Sequence, residues 1–162
     1  MEQENNYFKL KIDPHNLKIH QKRLGAVAIP VNDEEQYLLI KVIRFDKTYY
    51  EFPRGFEAEQ ESFEDAAIRE LEEETGVITK KATLIGTVMP DSGILDAENG
   101  IVECKVPEFS GFALQNNEGV QDVKICRLAD LLRLVRQHKI IDSYTLAAID
   151  HLVANQFNDD LI

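Results

Sequence analysis

The chain has 162 residues, of which 44% are hydrophobic and 29% are charged, and its formal net charge is −11. This length suits one globular domain, and the negative charge argues against a nucleic-acid groove, which needs a basic surface to neutralise phosphates. The N-terminus lacks the basic and apolar regions of a signal peptide, and no stretch approaches the roughly 18 apolar residues of a membrane span. We therefore expect a cytoplasmic protein with neither a membrane nor a nucleic acid as partner.

The first residues form a segment of their own. Residues 7–12 alternate in polarity, which predicts a short strand, and Asp13-Pro14 interrupts it. Little before Lys22 is typical of a core, and no pairing partner for residues 5–22 is evident in the rest of the chain. We therefore assign residues 1–22 to an N-terminal extension and residues 23–162 to the main domain.

The main domain begins with strands and ends with helices. Residues 24–31 and 36–44 predict a hairpin of two buried strands, and two amphipathic helices close the chain at 128–137 and 142–157. Because strands lie on both sides of one earlier helix, the pattern predicts an α/β (α+β) fold with mixed sheets between helices. The further strands are predicted from their β-branched content at 48–52, 82–89, 101–109, 112–115 and 120–128.

The earlier helix lies within residues 55–77 and has clear ends. Ser62 suits the N-cap, and Asp65 three residues later gives a near capping box. Gly76 suits the left-handed position that follows a helix. The sequence therefore predicts a helix from Ser62 to Gly76.

This helix carries carboxylates where most helices do not. At about 100° per residue, Glu70, Glu73 and Glu74 continue the apolar stripe that starts at Phe63, whereas Glu72 points the opposite way. Three carboxylates in the last turns repel each other and oppose the helix dipole. A merely solvated acidic helix would not place acids on a buried stripe. The pattern therefore favours a bound divalent cation.

The same segment resembles the signature of the Nudix hydrolases, which reads Gly, five residues, Glu, seven residues, Arg-Glu, an aliphatic, any residue, Glu-Glu, any residue, Gly and an aliphatic. The resemblance implies the family's α/β/α sandwich with a mixed β-sheet and a loop-helix-loop catalytic motif, so that residues 23–162 would form a Nudix hydrolase domain. The specified positions are filled without a gap by Gly55, Glu61, Arg69, Glu70, Leu71, Glu73, Glu74, Gly76 and Val77.

Other stretches are similar to the ADP-ribose pyrophosphatase branch of that family. These are residues 40–44, residues 50–56, and residues 138–148, in which His138 replaces the usual glycine. The loop that follows the Nudix signature departs from the branch, because Ser92 precedes Gly93 where Pro-Gly is expected. The N-terminal subdomain is also shorter than in the larger enzymes of the branch. The branch commonly dimerises through this end, so we expect a homodimer with residues 1–22 as its arm.

The resemblance implies hydrolysis of the pyrophosphate bond of a nucleoside diphosphate derivative, a small-molecule substrate for which ADP-ribose or a nucleotide sugar is the leading choice. House-cleaning of nucleoside triphosphates or dinucleoside polyphosphates is an alternative, and so is a non-catalytic nucleotide-sensing Nudix domain. Mg²⁺ or Mn²⁺ suits the oxygen ligands. The expected ligands are Glu70, Glu73, Glu74 and the Gly55 carbonyl.

The general base has three candidates. In the branch it comes from a mobile loop before the last strand, which makes Glu118 the first choice and Glu98 the second. If neither serves, Glu73 must act as the base itself.

The remaining candidates concern the substrate and the shape of the motif. Arg44 and Arg54 are candidate phosphate or ribose ligands, because guanidinium forks match phosphate geometry. Glu61 and Arg69 are expected to form a structural salt bridge, with Arg69 off the carboxylate stripe, and Gly76 to end the helix. Three aromatic residues are candidates for stacking on the nucleobase of the substrate, namely Phe45, Tyr49 and Tyr50. Two of these three are expected in the core instead.

Overall fold

The structure, a computed structural model, describes residues 1–114 and 119–157. Within these ranges the chain forms strands and helices in the following order. The strands are β1 (Glu2–Glu4), β2 (Phe8–Asp13), β3 (Asn16–Gln21), β4 (Gly25–Val31), β5 (Tyr37–Arg44), β6 (Lys47–Glu51), β7 (Arg54–Phe56), β8 (Lys81–Val88), β9 (Leu95–Asp96), β10 (Asn99–Lys105) and β11 (Val120–Cys126). The helices are α1 (Phe63–Thr75), α2 (Leu128–Arg136) and α3 (Ser143–Phe157).

A central mixed sheet has the strand order β11-β5-β4-β10-β8, with β6 beside β5 and β7 beside β4. Strands β4 and β10 are parallel, and the other neighbours are antiparallel. Strand β4 meets β5 only at Val31 and Tyr37, because β7 takes the other end of that edge and pairs Gly25 with Phe56. This pairing places Arg54, Gly55 and Phe56 alongside β4, directly before α1.

Helices cover both faces of the central sheet. On β4, Ala26 and Ala28 pack towards Leu71 of α1, whereas Val27 and Ile29 pack towards α2 and α3. A strand buried on both faces has a continuous apolar sequence, as β4 has. The predicted α/β (α+β) fold of mixed sheet and helical layers is confirmed.

The N-terminal strands form a second sheet, in the order β1-β2-β3-β9. Strand β9 comes from the main domain and pairs in parallel with β3, so that Ile19 lies beside Leu95. The rings of Tyr7 and Phe8 also contact Phe56, with centroids 4.9 and 5.6 Å apart. The prediction that residues 5–22 have no partner in the main domain is therefore wrong. The partner could not be foreseen, because a two-residue strand such as β9 has no sequence signal.

Two predicted strands differ from the structure. Residues 112–114 are not in a strand, and Gln115 lies outside the described residues. Strand β10 ends at Lys105 rather than at residue 109, where Pro107 would interrupt the hydrogen bonding.

The two C-terminal helices are confirmed. Helix α3 begins at Ser143, and the Asp142 carboxylate caps it by accepting a hydrogen bond from the Thr145 N–H at 2.9 Å. None of the helices in the described ranges is long and apolar enough to cross a membrane.

Candidate functional site

Helix α1 has the ends that its sequence predicts. The Ser62 Oγ accepts a hydrogen bond from the Asp65 N–H at 3.1 Å. At the other end, Gly76 has φ of 78° and donates its N–H to the Glu72 carbonyl at 2.8 Å. A Cβ at Gly76 would lie 2.7 Å from the Ala113 nitrogen. Both the backbone angle and the space therefore require glycine where the acidic helix stops.

The carboxylates of α1 differ in exposure, and the helical wheel predicts the burial of Glu70 and Glu74 and the exposure of Glu72 but not the partial exposure of Glu73. Glu70 and Glu74 are buried, with exposed fractions of 7% and 5%. The Glu73 side chain is 42% exposed, and Glu72 lies on the solvent side. Buried carboxylates need hydrogen bonds or a cation to offset their lost hydration. A cation or a hydrogen-bond donor at the end of α1 would therefore stabilise these buried carboxylates.

The loop at Gly55 lies directly against this helix. A Cβ on Gly55 would stand 2.1 Å from the Glu70 carboxyl carbon, so no side chain fits there. The next contact is made by the backbone N–H of Arg54, which donates to the Glu74 carboxylate at 3.2 Å. The absence of a side chain at Gly55 thus allows the loop and the carboxylates to meet.

Arg69 joins the two ends of the motif. Its Nε and Nη2 donate to the Glu61 carboxylate at 2.9 and 3.0 Å, so the expected salt bridge is present. Its Nη1 donates to Glu70 at 2.7 Å and to Glu73 at 3.0 Å, and its Nη2 donates to the Phe56 carbonyl at 2.7 Å. The prediction that Arg69 lies off the carboxylate stripe is therefore wrong for its guanidinium, because the long side chain reaches back across the helix.

These contacts shift two pKa values in the directions expected of an ion pair. The hydrogen bonds from Arg69 lower the pKa of Glu61 below its ordinary value, and the Ala58 N–H adds to this. The hydrogen bond to Glu61, with further contributions from Glu70, raises the pKa of Arg69. Both groups are thus charged across the neutral pH range.

The carboxylate oxygens at this end of α1 are of the ligand type that Mg²⁺ takes in proteins. Among residues 1–114 and 119–157, no group of three His, Cys, Asp or Glu side chains is arranged to hold a metal ion. Mg²⁺ usually keeps several waters and is bound by one or two carboxylates together with substrate phosphates. Glu70 and Glu73, which already meet at one guanidinium nitrogen, fit that requirement.

An open cleft of about 560 Å³ runs along the motif. Its volume is within the range of ligand sites, which is about 300–1,000 Å³. It combines carboxylates with three guanidinium groups, so it suits a diphosphate that is bound with a cation. Its lining is Tyr7, Arg23, Arg54, Gly55, Phe56, Glu57, Ala58, Arg69, Glu70 and Glu73.

Both arginine candidates lie beside the carboxylate of the buried Glu51. Arg44 donates to both oxygens of the Glu51 carboxylate, at 3.2 and 3.0 Å, and this hydrogen bonding raises its pKa. Arg54 lies 3.7 Å from Glu51 and 3.6 Å from Asp142, and its guanidinium stacks on the Tyr144 ring at 4.5 Å. Of the two, only Arg54 lines the cleft.

The three aromatic candidates lie outside the lining of the cleft. Phe45 is 98% exposed at the turn between β5 and β6. Tyr49 packs against Ile40 and Val42, and Tyr50 packs against the main core, as expected for two of the three. None of the three is among the residues that line the cleft.

The base candidates have different surroundings. Glu73 lines the cleft. Glu98 is exposed and accepts a hydrogen bond from the Thr87 hydroxyl at 2.7 Å. Glu118 lies outside the described residues.

A second cavity, which the sequence analysis missed, adjoins the cleft at Arg54, Gly55 and Phe56. Among its lining residues are Gln21 and Asn99, both buried polar residues. One sequence signal could have identified Gln21. In the alternating sequence of β3 it shares the inward-facing side with Leu17 and Ile19, where an apolar residue is expected. Also on the wall are Tyr144 and Phe8.

The profile of the NUDIX domain matches residues 21–148. This match covers most of the chain, and it includes the loop at Gly55 and all of α1. The chain belongs to the Nudix family. The family assignment and the Nudix fold predicted from the sequence are confirmed, and the chain is a Nudix pyrophosphohydrolase.

Two known proteins show how far the likeness extends. An ADP-ribose pyrophosphatase of Bacillus subtilis (strain 168) is 34% identical over 138 residues, which cover 81% of this chain and 73% of the relative. A crystal structure of an ADP compounds hydrolase matches with a TM-score of 0.76 at 14% identity, and the match covers 99% of this chain and 92% of that one. The second likeness shows the fold alone.

The ion pair in the Nudix motif gives a test by pH. Glu61→Gln is expected to lower the free energy of unfolding by about 1–2 kcal/mol at neutral pH, because a charged hydrogen-bond partner of Arg69 is lost. The folded-state pKa of Glu61 lies below its ordinary value of 4.5. Its contribution is therefore present above that value and is lost as the pH falls through the folded-state pKa. Urea unfolding from neutral to acid pH measures this difference.

Glu59→Gln is the matched control, because Glu59 is exposed in the same loop. It should change stability little at any pH. A cost for Glu61→Gln that stays constant as the pH falls would contradict the assignment.

Proposed function

We propose that the chain hydrolyses the pyrophosphate bond of ADP-ribose in the presence of Mg²⁺ or Mn²⁺ and releases AMP and ribose 5-phosphate. The observation that carries the hydrolysis is the contact between Gly55 and the Glu70 carboxylate beside an open cleft. The choice of ADP-ribose rests on the relative named an ADP-ribose pyrophosphatase, which matches 81% of the chain.

The cleft has groups for each part of a diphosphate. Glu70 and Glu73 would hold the cation, with Glu74 and the Gly55 carbonyl as further oxygen ligands. The chemistry that Mg²⁺ supplies when bound is charge neutralisation on the phosphates and a lower pKa for the attacking water. Arg54 lines the cleft and is the proposed phosphate ligand from the protein. A water oxygen adds to one phosphorus, the bridging P–O bond breaks, and both products leave as phosphomonoesters.

Arg69 keeps the acids in place for this reaction. One guanidinium nitrogen touches both Glu70 and Glu73, so it reduces the repulsion between them and fixes their spacing. Its other hydrogen bonds fix the Phe56 carbonyl and Glu61. We infer that Arg69 positions the ligand set and does not contact the reacting atoms.

The quaternary structure and the location of the protein remain predictions. Ile12 and Leu17, at the free end of the β2–β3 hairpin, are apolar and exposed. A second copy could cover them, which supports the homodimer expected from the family.

A product assay on two variants tests the function. The wild-type protein should convert ADP-ribose with Mg²⁺ into AMP and ribose 5-phosphate, identified by chromatography and mass spectrometry. Glu73→Gln should lower kcat by roughly 100-fold or more, because a proposed metal ligand is lost from the cleft. Its thermal midpoint should stay close to that of the wild-type protein.

Glu72→Gln is the control, because Glu72 is adjacent in sequence but lies on the solvent side. Its kcat should remain within about twofold of the wild-type value. Equal losses in the two variants would reject the metal-binding role of this helix face. Turnover of nucleoside triphosphates without turnover of ADP-ribose would reject the proposed substrate.

A second pair of variants tests the general base. If Glu118 activates the water, Glu118→Gln should reduce kcat by roughly two to four orders of magnitude with little change in KM. The affinity for Mn²⁺ should be retained, because Glu118 is not a proposed ligand. Glu98→Gln should then be close to wild type, and the opposite result would transfer the role to Glu98. Normal activity in both variants would leave Glu73 as the base.

A further inference from the structure

A partly open cavity of about 200 Å³ lies between the N-terminal sheet and the central sheet, where it adjoins the cleft at Gly55. Sites for whole small-molecule ligands are usually larger, at about 300–1,000 Å³. The cavity can therefore take one part of a nucleotide whose diphosphate lies in the cleft. It is lined by Phe8, Gln21, Gly25, Ala26, Val27, Arg54, Gly55, Phe56, Leu95, Asn99 and Tyr144.

Asn99 is a buried polar residue of this wall, and only one end of its amide has a hydrogen bond among the described residues. It is 3% exposed, and its Oδ1 accepts a hydrogen bond from the Gln21 Nε2 at 2.8 Å. Its Nδ2 is buried and has no hydrogen-bond partner among the described residues. With the Gln21 amide in this orientation, rotating the Asn99 amide alone would place two NH₂ groups against each other, so the Asn99 N–H groups face away from Gln21.

Asn99 is also close to the catalytic loop. A Cβ on Gly25 would lie 2.9 Å from the Asn99 Oδ1 and 2.6 Å from the Gly55 carbonyl oxygen. The glycine at position 25 therefore allows the amide and the loop to approach each other. A group bound at Asn99 would lie next to the diphosphate.

A second donor in the same wall has no partner among the described residues. The Arg54 Nε is buried without a hydrogen bond, whereas its Nη2 lies near Glu51 and Asp142. Buried N–H groups are nearly always paired in native proteins, so two on one cavity wall need an explanation. Aromatic rings complete the wall, among them Tyr144 under the guanidinium. Donors beside aromatic rings suit a ring that carries hydrogen-bond acceptors.

We propose that Asn99, oriented by Gln21, determines substrate specificity by donating a hydrogen bond to an acceptor on the group attached to the diphosphate. That group is either the nucleobase or the terminal ribose, since both carry acceptors on a ring. This inference rests on the proposed hydrolysis of a nucleoside diphosphate derivative. It gives the N-terminal extension a part in substrate recognition, because Gln21 ends β3.

The two halves of the substrate can be compared on the wild-type protein. The side-chain amide resonance of Asn99 is followed by ¹⁵N NMR with Mg²⁺ while AMP or ribose 5-phosphate is added. A saturable shift with AMP alone assigns the cavity to the nucleobase, and a shift with ribose 5-phosphate alone assigns it to the terminal ribose. No shift with either compound would overturn the proposal and would leave the cavity as a site for buried water.

Substitutions give a second, kinetic test. Asn99→Asp still accepts from Gln21 but offers the ligand no donor, so kcat/KM for ADP-ribose should fall roughly 10- to 100-fold, mainly through KM. Gln21→Met should give a smaller rise in KM, because the amide of Asn99 is then free to rotate. His20→Gln is the control, because His20 is exposed and is absent from the cavity wall. Its kinetics should match the wild type.

Failure of this inference is distinguishable from failure of the proposed function. A wild-type protein that does not hydrolyse any nucleoside diphosphate derivative would reject the function itself. Normal hydrolysis with unchanged KM in both Asn99→Asp and Gln21→Met would reject the role of Asn99 alone. If Asn99→Asp does not fold, Gln21→Met and the wild-type resonance still decide the question.

Discussion

The site depends on the cluster of carboxylates held at the C-terminal end of one helix. Glu70 and Glu74 are buried there, where the helix dipole is unfavourable to anions and no basic residue occupies the last turn. The guanidinium of Arg69 compensates from one turn earlier by contacting Glu70 and Glu73 together. The same side chain fixes the Phe56 carbonyl, so the loop and the helix are positioned as one unit.

The surrounding fold supports this unit from two directions. Strand β7 pairs with β4 and brings Gly55 against the Glu70 carboxylate, where no side chain would fit. On the other side, α3 is joined to the segment that precedes β7, because the Thr145 hydroxyl accepts a hydrogen bond from the Phe52 N–H at 3.1 Å. The cleft and the neighbouring cavity meet at this loop, so one ligand can span both.

Most of the fold could be predicted from the sequence because its signals are local. Ser62 and Gly76 mark the ends of α1, and the continuous apolar run of β4 indicates burial on both faces. The position of the N-terminal sheet could not be predicted, because it depends on β9, a strand of two residues that lies far away in the chain. Contacts of long side chains were also missed. The reach of Arg69 across the helix follows from its length and not from its position on the helical wheel.

The ligand role of the buried carboxylates is tested most directly by metal binding at the diphosphate. Mn²⁺ affinity can be measured by electron paramagnetic resonance with a methylene-bridged, non-hydrolysable analogue of ADP-ribose. We predict that the wild-type protein and Glu72→Gln bind Mn²⁺ equally, and that Glu70→Gln binds it at least about tenfold more weakly, because a hard oxygen ligand is lost. Unchanged Mn²⁺ affinity in Glu70→Gln, or equal losses in both variants, would contradict the account.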